Sequence, residues 1–149
     1  MGMFFRVQEK HDPAEPWLRQ ALDMAREIGD KGLMLNALHR LNDGCVGRHM
    51  PQKAREWLGE SVRIASEIGA QGELAYLLGS MHGIAREEGK GRKAARLYGT
   101  FCKLTRRPTQ GYPFMLEMLD LDEKTFAAEF AIGETMTLEQ AVAYGMSTE

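Results

Sequence analysis

Cysteine is nearly absent: Cys45 and Cys102 are the two thiols of a 149-residue chain, and no C-x-x-C motif occurs. That leaves neither a disulfide framework nor a zinc-type cluster to expect, and it suits two inert buried thiols in a reducing cytosol. Long apolar runs are missing too. No stretch of eighteen apolar residues exists, so no membrane-spanning segment is predicted. Residues 1–12 lack the apolar core and small-residue cleavage site of a signal peptide, so a cytoplasmic protein is expected. Nor does one sign of charge dominate: nineteen Lys and Arg stand against twenty-one Asp and Glu. A net charge of −2 supplies no field that would make nucleic acid or an anionic membrane the main partner. Catalytic signals are equally thin. No G-x-x-x-x-G-K-[ST] loop occurs. Ser61 falls in an apolar stripe, and Ser66 and Ser80 have no His–Asp company that spacing can place, so no catalytic residue is assigned and no enzyme is expected.

What is present is a repeat. Ala14–Gly32 returns forty residues later as Ala54–Gly72, with Ala14, Trp17, Leu18, Ala25, Glu27, Ile28, Gly29 and Gly32 recurring as Ala54, Trp57, Leu58, Ala65, Glu67, Ile68, Gly69 and Gly72. A weaker third copy sets Ala94, Leu97, Tyr98, Phe101 and Leu104 against Ala54, Trp57, Leu58, Ser61 and Ile64. Self-similarity at this period marks a repeat architecture, and 44% hydrophobic residues suffice for a core.

Helical spacing runs through each copy. Asp12-Pro13-Ala14-Glu15 reads as a helix start with Asp12 as cap. Trp17, Leu18, Ala21, Leu22, Ala25 and Ile28 then mark one face, and Gly29 ends it. Both tryptophans, Trp17 and Trp57, are expected to pack within these apolar stripes. The link Asp30-Lys31-Gly32 is short enough to force an antiparallel neighbour through Leu35, Leu38, Leu41 and Cys45. The pattern repeats from Pro51 to Gly69 and from Leu74 to Ala85, and Ala94–Arg106 closes the series. After a turn-rich connector at Pro108–Pro113, short helices are predicted over Phe114–Leu119 and Asp122–Gly133, the latter with Phe126, Phe130 and Ala127 inward. Thr137-Leu138-Glu139-Gln140 is a capping box that opens a last helix.

One all-α domain over residues 1–149 is the resulting expectation: antiparallel helical hairpins in a stack (11–107) with a C-terminal helical cap (108–149). Residues 1–10 fit as the remnant of a preceding repeat helix, since Met1, Phe4, Phe5 and Arg6 fall eighty residues before Met81, Ile84, Ala85 and Arg86. Such a start leaves an apolar end uncovered, which implies either a longer parent protein that continued upstream or self-association there as a homodimer.

These residues resemble a known family. Leu78, Met81, Ile84, Ala85, Gly89, Ala94 and Tyr98 follow the tetratricopeptide pattern, as do Leu38, Leu41, Cys45, Ala54 and Leu58 one unit earlier. The forty-residue period, the string Ala25-Arg26-Glu27-Ile28-Gly29-Asp30 and the close from Phe126-Ala127-Ala128-Glu129-Phe130 through Gly133 to Met136–Tyr144 are similar to the tetratricopeptide-type tails of bacterial signal-transduction ATPases and LuxR-like transcriptional regulators. The resemblance implies a right-handed stack and a regulatory scaffold that binds a protein or peptide. The family's nucleotide-binding motor and DNA-reading helix-turn-helix have no counterpart here, so neither activity carries over. Asn42 and His82 depart from the pattern, occupying a slot usually held by Gly or Ala.

In such stacks the first helix of each unit lines a concave groove. Counting from the apolar stripe places Asn36, His39, Asp43 and Val46, then Tyr76, Gly79, Gly83 and Arg86, on that face, with Arg6 at the truncated end. Arg6, Asn36, His39, Asp43, Tyr76 and Arg86 form the candidate ligand or peptide groove, and an effector-sensing role for it is the alternative to protein binding. His39 and Asp43 stand one turn apart, but no third ligand accompanies them, so neither a metal nor a cofactor is expected. Residues 81–110 hold eight basic residues against two acidic ones, and residues 111–149 hold eight acids against Lys124. The acidic cap is therefore expected to dock on the basic helix.

Overall fold

The computed structural model describes residues 13–107 and 112–148, and all secondary structure among them is helical. Eight helices follow in order among the described residues: α1 (Glu15–Ile28), α2 (Lys31–Gly47), α3 (Pro51–Glu67), α4 (Gln71–Glu87), α5 (Gly91–Thr105), α6 (Tyr112–Leu119), α7 (Glu123–Thr135) and α8 (Leu138–Met146). Helices that follow one another pack as pairs, α1 on α2 and α4 on α5, as a helical repeat requires. The chain divides into two compact units, the first ending at Ile64 and the second beginning at Ala65.

In the first unit the turn between α1 and α2 is set locally. Gly29 adopts φ 73°, the left-handed conformation that costs glycine little, and the Asp30 carboxylate accepts from the Leu33 N–H at 3.0 Å to cap α2. Leu22 and Ala25 of α1 are buried with Leu35, Leu38, Leu41 and Cys45 of α2 and Ala54 and Leu58 of α3. Polar pairs add to this: Arg26 of α1 donates to both carboxylate oxygens of Glu60 on α3 at 2.7 Å.

Two features of this unit bear on the expectations. Helix α1 begins at Glu15 with Ala14 at its cap position, and the expected cap Asp12 lies outside the described residues. Pro16 occupies the first turn, where its missing N–H costs nothing. Glu15 is drawn instead to Lys53 and Arg19. Trp17 and Trp57 also differ. Trp57 is half-buried beneath the Arg19 guanidinium, 4.8 Å from its ring, while Trp17 is 73% exposed. The stripe is the same, but no described helix covers that side of α1.

In the second unit α5 is the centre, packed by α4, α6, α7 and α8. Two glycines permit the tightest contact: Gly99 of α5 faces the Phe130 carbonyl of α7, and Gly133 of α7 faces the Arg96 carbonyl of α5. Asp122 caps α7 by accepting from the Thr125 N–H at 2.8 Å, and Thr137 with Gln140 forms the capping box that opens α8. Phe126 and Phe130 are buried as expected, but Ala127 is exposed because it falls beyond the edge of the buried face. The acidic segment does dock on the basic helix. Arg96 pairs with the buried Glu129 at 2.6 Å, and buried Lys93 donates to the Ser147 carbonyl at the C-terminus of α8, also at 2.6 Å.

Candidate functional site

Helix α2 buries one side and displays the other. Leu35, Leu38, Leu41, Asn42 and Cys45 are buried. Asn36, His39 and Asp43, at three- and four-residue spacing, form a row away from them, with Asn36 and Asp43 exposed and His39 half-buried. Partial desolvation by the surrounding helix shifts the Asp43 carboxyl upward from its ordinary value, and the neighbouring His39 opposes this.

Helix α4 carries the equivalent positions of the second unit with different surroundings. Tyr76 is exposed. At Gly79 an added Cβ would stand 3.2 Å from the Phe101 ring, and Gly83 is buried. Arg86 is engaged, donating to the Met118 sulfur at 3.3 Å and to the Glu87 carboxylate at 3.2 Å. The six expected groove residues thus fall into an α2 set (Asn36, His39, Asp43) and an α4 set (Tyr76, Arg86), while Arg6 lies outside the described residues.

The unusual slot residues Asn42 and His82 behave differently from each other. His82 places Nδ1 2.9 Å from the Ala94 carbonyl, with its ring 5.1 Å from that of Tyr98. Burial holds its pKa below 6.5, so the ring is neutral and Nδ1–H donates. Asn42 is buried more deeply, at 1% exposure, yet among the described residues neither its amide nitrogen nor its amide oxygen has a hydrogen-bond partner.

Other chemistry-bearing groups are occupied structurally. Ser61 is buried and donates to the Trp57 carbonyl at 2.9 Å. Cys45 and Cys102 are free and buried, and burial raises both thiol pKa values, which disfavours the reactive thiolate. Among the described residues no group of three His, Cys, Asp or Glu side chains is arranged to hold a metal ion, and no helix is long and apolar enough to cross a membrane.

Spacing alone did not single out an apolar groove between α1 and α2. It is lined by Leu18, Ala21, Met24 and Ile28 on α1 and by Leu33 and Arg40 on α2, among others, and encloses about 450 Å³. The signal available for it was the width of the α1 stripe, which exceeds what one neighbouring helix can cover.

No protein-family model, no curated protein and no solved structure matches the chain.

Proposed function

We propose that the chain is a non-catalytic interaction module of tetratricopeptide type, a cytoplasmic regulatory scaffold of a signalling or transcription-regulatory system. The observation that carries this reading is the polar row Asn36–His39–Asp43, held on a helix whose opposite side is locked into the core. A rigid helix offering amide, imidazole and carboxylate groups in register can recognise the backbone and polar side chains of a protein segment without transforming it.

Site-specific photo-crosslinking tests it. A crosslinker at position 36 or 43 is expected to capture a discrete protein from the native cell, with a control crosslinker at Arg63 giving none. Loss of that product on His39→Ala supports the row as the contact. Equal capture from all positions, or none, overturns the reading.

An effector-sensing role for the same face is favoured by one observation, the exposed Asp43 carboxyl standing one helical turn from the His39 imidazole. A polar small molecule that raises the melting temperature of the wild-type chain, but not of Asp43→Ala, would select the sensor over the scaffold.

A further inference from the structure

We infer that the place where α8 rests on α4 and α5 is a docking site for a partner helix, which the chain's own α8 occupies until the partner arrives. The partner is a helix with small residues four apart, an aromatic side chain just before the second of them, and free carbonyls at its C-terminus. The site lies wholly in the second unit and does not depend on the polar row of α2.

The floor of this site belongs to the core, whereas its occupant scarcely does. Met81 of α4 and Lys93 of α5 are 2% and 4% exposed. Of α8 itself Ala141 and Gly145 alone are buried, and Leu138, Val142, Tyr144 and Met146 stay partly exposed. Helix α7, by contrast, commits Phe126 and Phe130 to the core. A helix anchored by two small residues lies at the low end of local stability, where segments that move in binding are found. Two extended residues, Met136 and Thr137, join α8 to α7, so α8 can swing away while α7 stays in place.

The contacts of α8 state what the site recognises. Lys93 donates to the Ser147 carbonyl at 2.6 Å and to its hydroxyl at 3.1 Å, and Lys90 donates to the Thr148 carbonyl at 2.9 Å. Both lysines thus read main-chain oxygens at the negative end of a helix, which any helix presents. Lys93 and Arg96 also stand 5.3 and 5.1 Å from the centre of the Tyr144 ring. At Gly145 the floor demands a small residue, because an added Cβ would collide with the Met81 side chain. The first half of α8 fits less well. A groove of about 350 Å³ opens beside it, between Leu138 and Val142 of α8 and Gln71 and Leu74 of α4. A helix with larger side chains at the Leu138 and Val142 places would bury apolar surface that α8 leaves in water. Tethering holds α8 at an effective concentration of roughly millimolar, and that surplus lets a better-fitting helix overcome it.

Amide hydrogen exchange of the full chain, and fluorescence anisotropy of labelled synthetic peptides added to it, test this. Amides of α8 should exchange about tenfold or more faster than those of α7, because α8 opens alone. A peptide of residues 137–149 carrying Val142→Phe should bind the full chain about tenfold more tightly than the unaltered peptide, since its ring fills the groove. Gly145→Leu in the same peptide should abolish binding. Placed in the chain itself, Val142→Phe should slow the exchange of α8 and weaken capture of the peptide, because the resident helix then fits. Protection of α8 equal to that of α7 overturns the inference. So does a Val142→Phe peptide that fails to bind, since α8 would then be a fraying end and its place no docking site. Binding indifferent to Gly145→Leu in the peptide, or to Val142→Phe in the chain, also overturns it, because the peptide would be held elsewhere.

Discussion

Thr100 donates its hydroxyl to the carbonyl oxygen of Gly133 at 2.6 Å, bridging two helices whose backbones are in direct contact. The bond is possible because Gly133 has no side chain: an added Cβ would stand 1.9 Å from the Arg96 carbonyl oxygen, far inside van der Waals contact, and press on the Thr100 amide. Gly99 repeats the arrangement from the other side, against the Phe130 carbonyl. The docking of α7 on α5 therefore depends on two absent methyl groups as much as on any side chain that is present.

Gly133→Ala is accordingly expected to lower stability by about 2 kcal/mol or more, because backbone rather than a flexible side chain must move. Thr100→Val, which removes one bond and keeps the volume, should cost about 1 kcal/mol. Urea denaturation of the two variants checks the order. Equal and small losses would mean that the helices do not approach this closely in solution.

His82 predicts a pH dependence. Its pKa in the folded state lies below the ordinary 6.5, chiefly through burial, with Arg86 adding repulsion. The unfolded chain therefore binds this proton more readily than the folded chain. Stability from His82 is fully present above about pH 6.5 and declines as pH falls from there toward the lower folded value. His82→Gln retains an N–H for the Ala94 carbonyl but does not titrate. Its denaturation midpoint should fall less than that of the wild type between pH 7 and pH 5.

Glu15 acts at lower pH and with the opposite shift. Hydrogen bonding to Lys53, then to Arg19, holds its carboxyl below the ordinary 4.5. The stability it contributes is present above pH 4.5 and is lost as pH falls through the depressed folded value. All three side chains are partly solvated, so Glu15→Gln should cost only about 1 kcal/mol at neutral pH. The difference from wild type should vanish in strong acid. A difference that persisted there would assign the effect to packing.

Asn42 carries a prediction of the other sign. An amide buried without partners among the described residues stays desolvated without compensation, so Asn42→Leu, of similar volume, is expected to raise stability by about 1 kcal/mol or more. Thermal unfolding measures this directly. A marked loss would show that the amide is bonded in solution.

The helices were legible because their determinants are local. Gly29, Gly69 and Gly89 take positive φ where the repeat pattern set helix ends, and the capping box at Thr137 and Gln140 forms as the spacing predicts. The row Asn36–His39–Asp43 was legible for the same reason: it needs one helix and one known buried face. Arg86 was not, because its neighbour Met118 stands thirty-two positions away on a helix that spacing could not orient. The role of Glu15 was not legible either, because its carboxylate is drawn to Lys53, thirty-eight positions away on another helix, as well as to Arg19.

Sequence alone determined where the chain coils, where it turns and which side of each coil is apolar, since period and terminus chemistry act over four residues or fewer. It did not determine which apolar sides are core. Trp17 and Trp57, or Met24 and Ile64, are equivalent letters in the repeat, and their burial differs because it depends on which helices arrive beside each one. Tertiary structure made that choice: it closed the stripe on α3 and left its twin on α1 open to water.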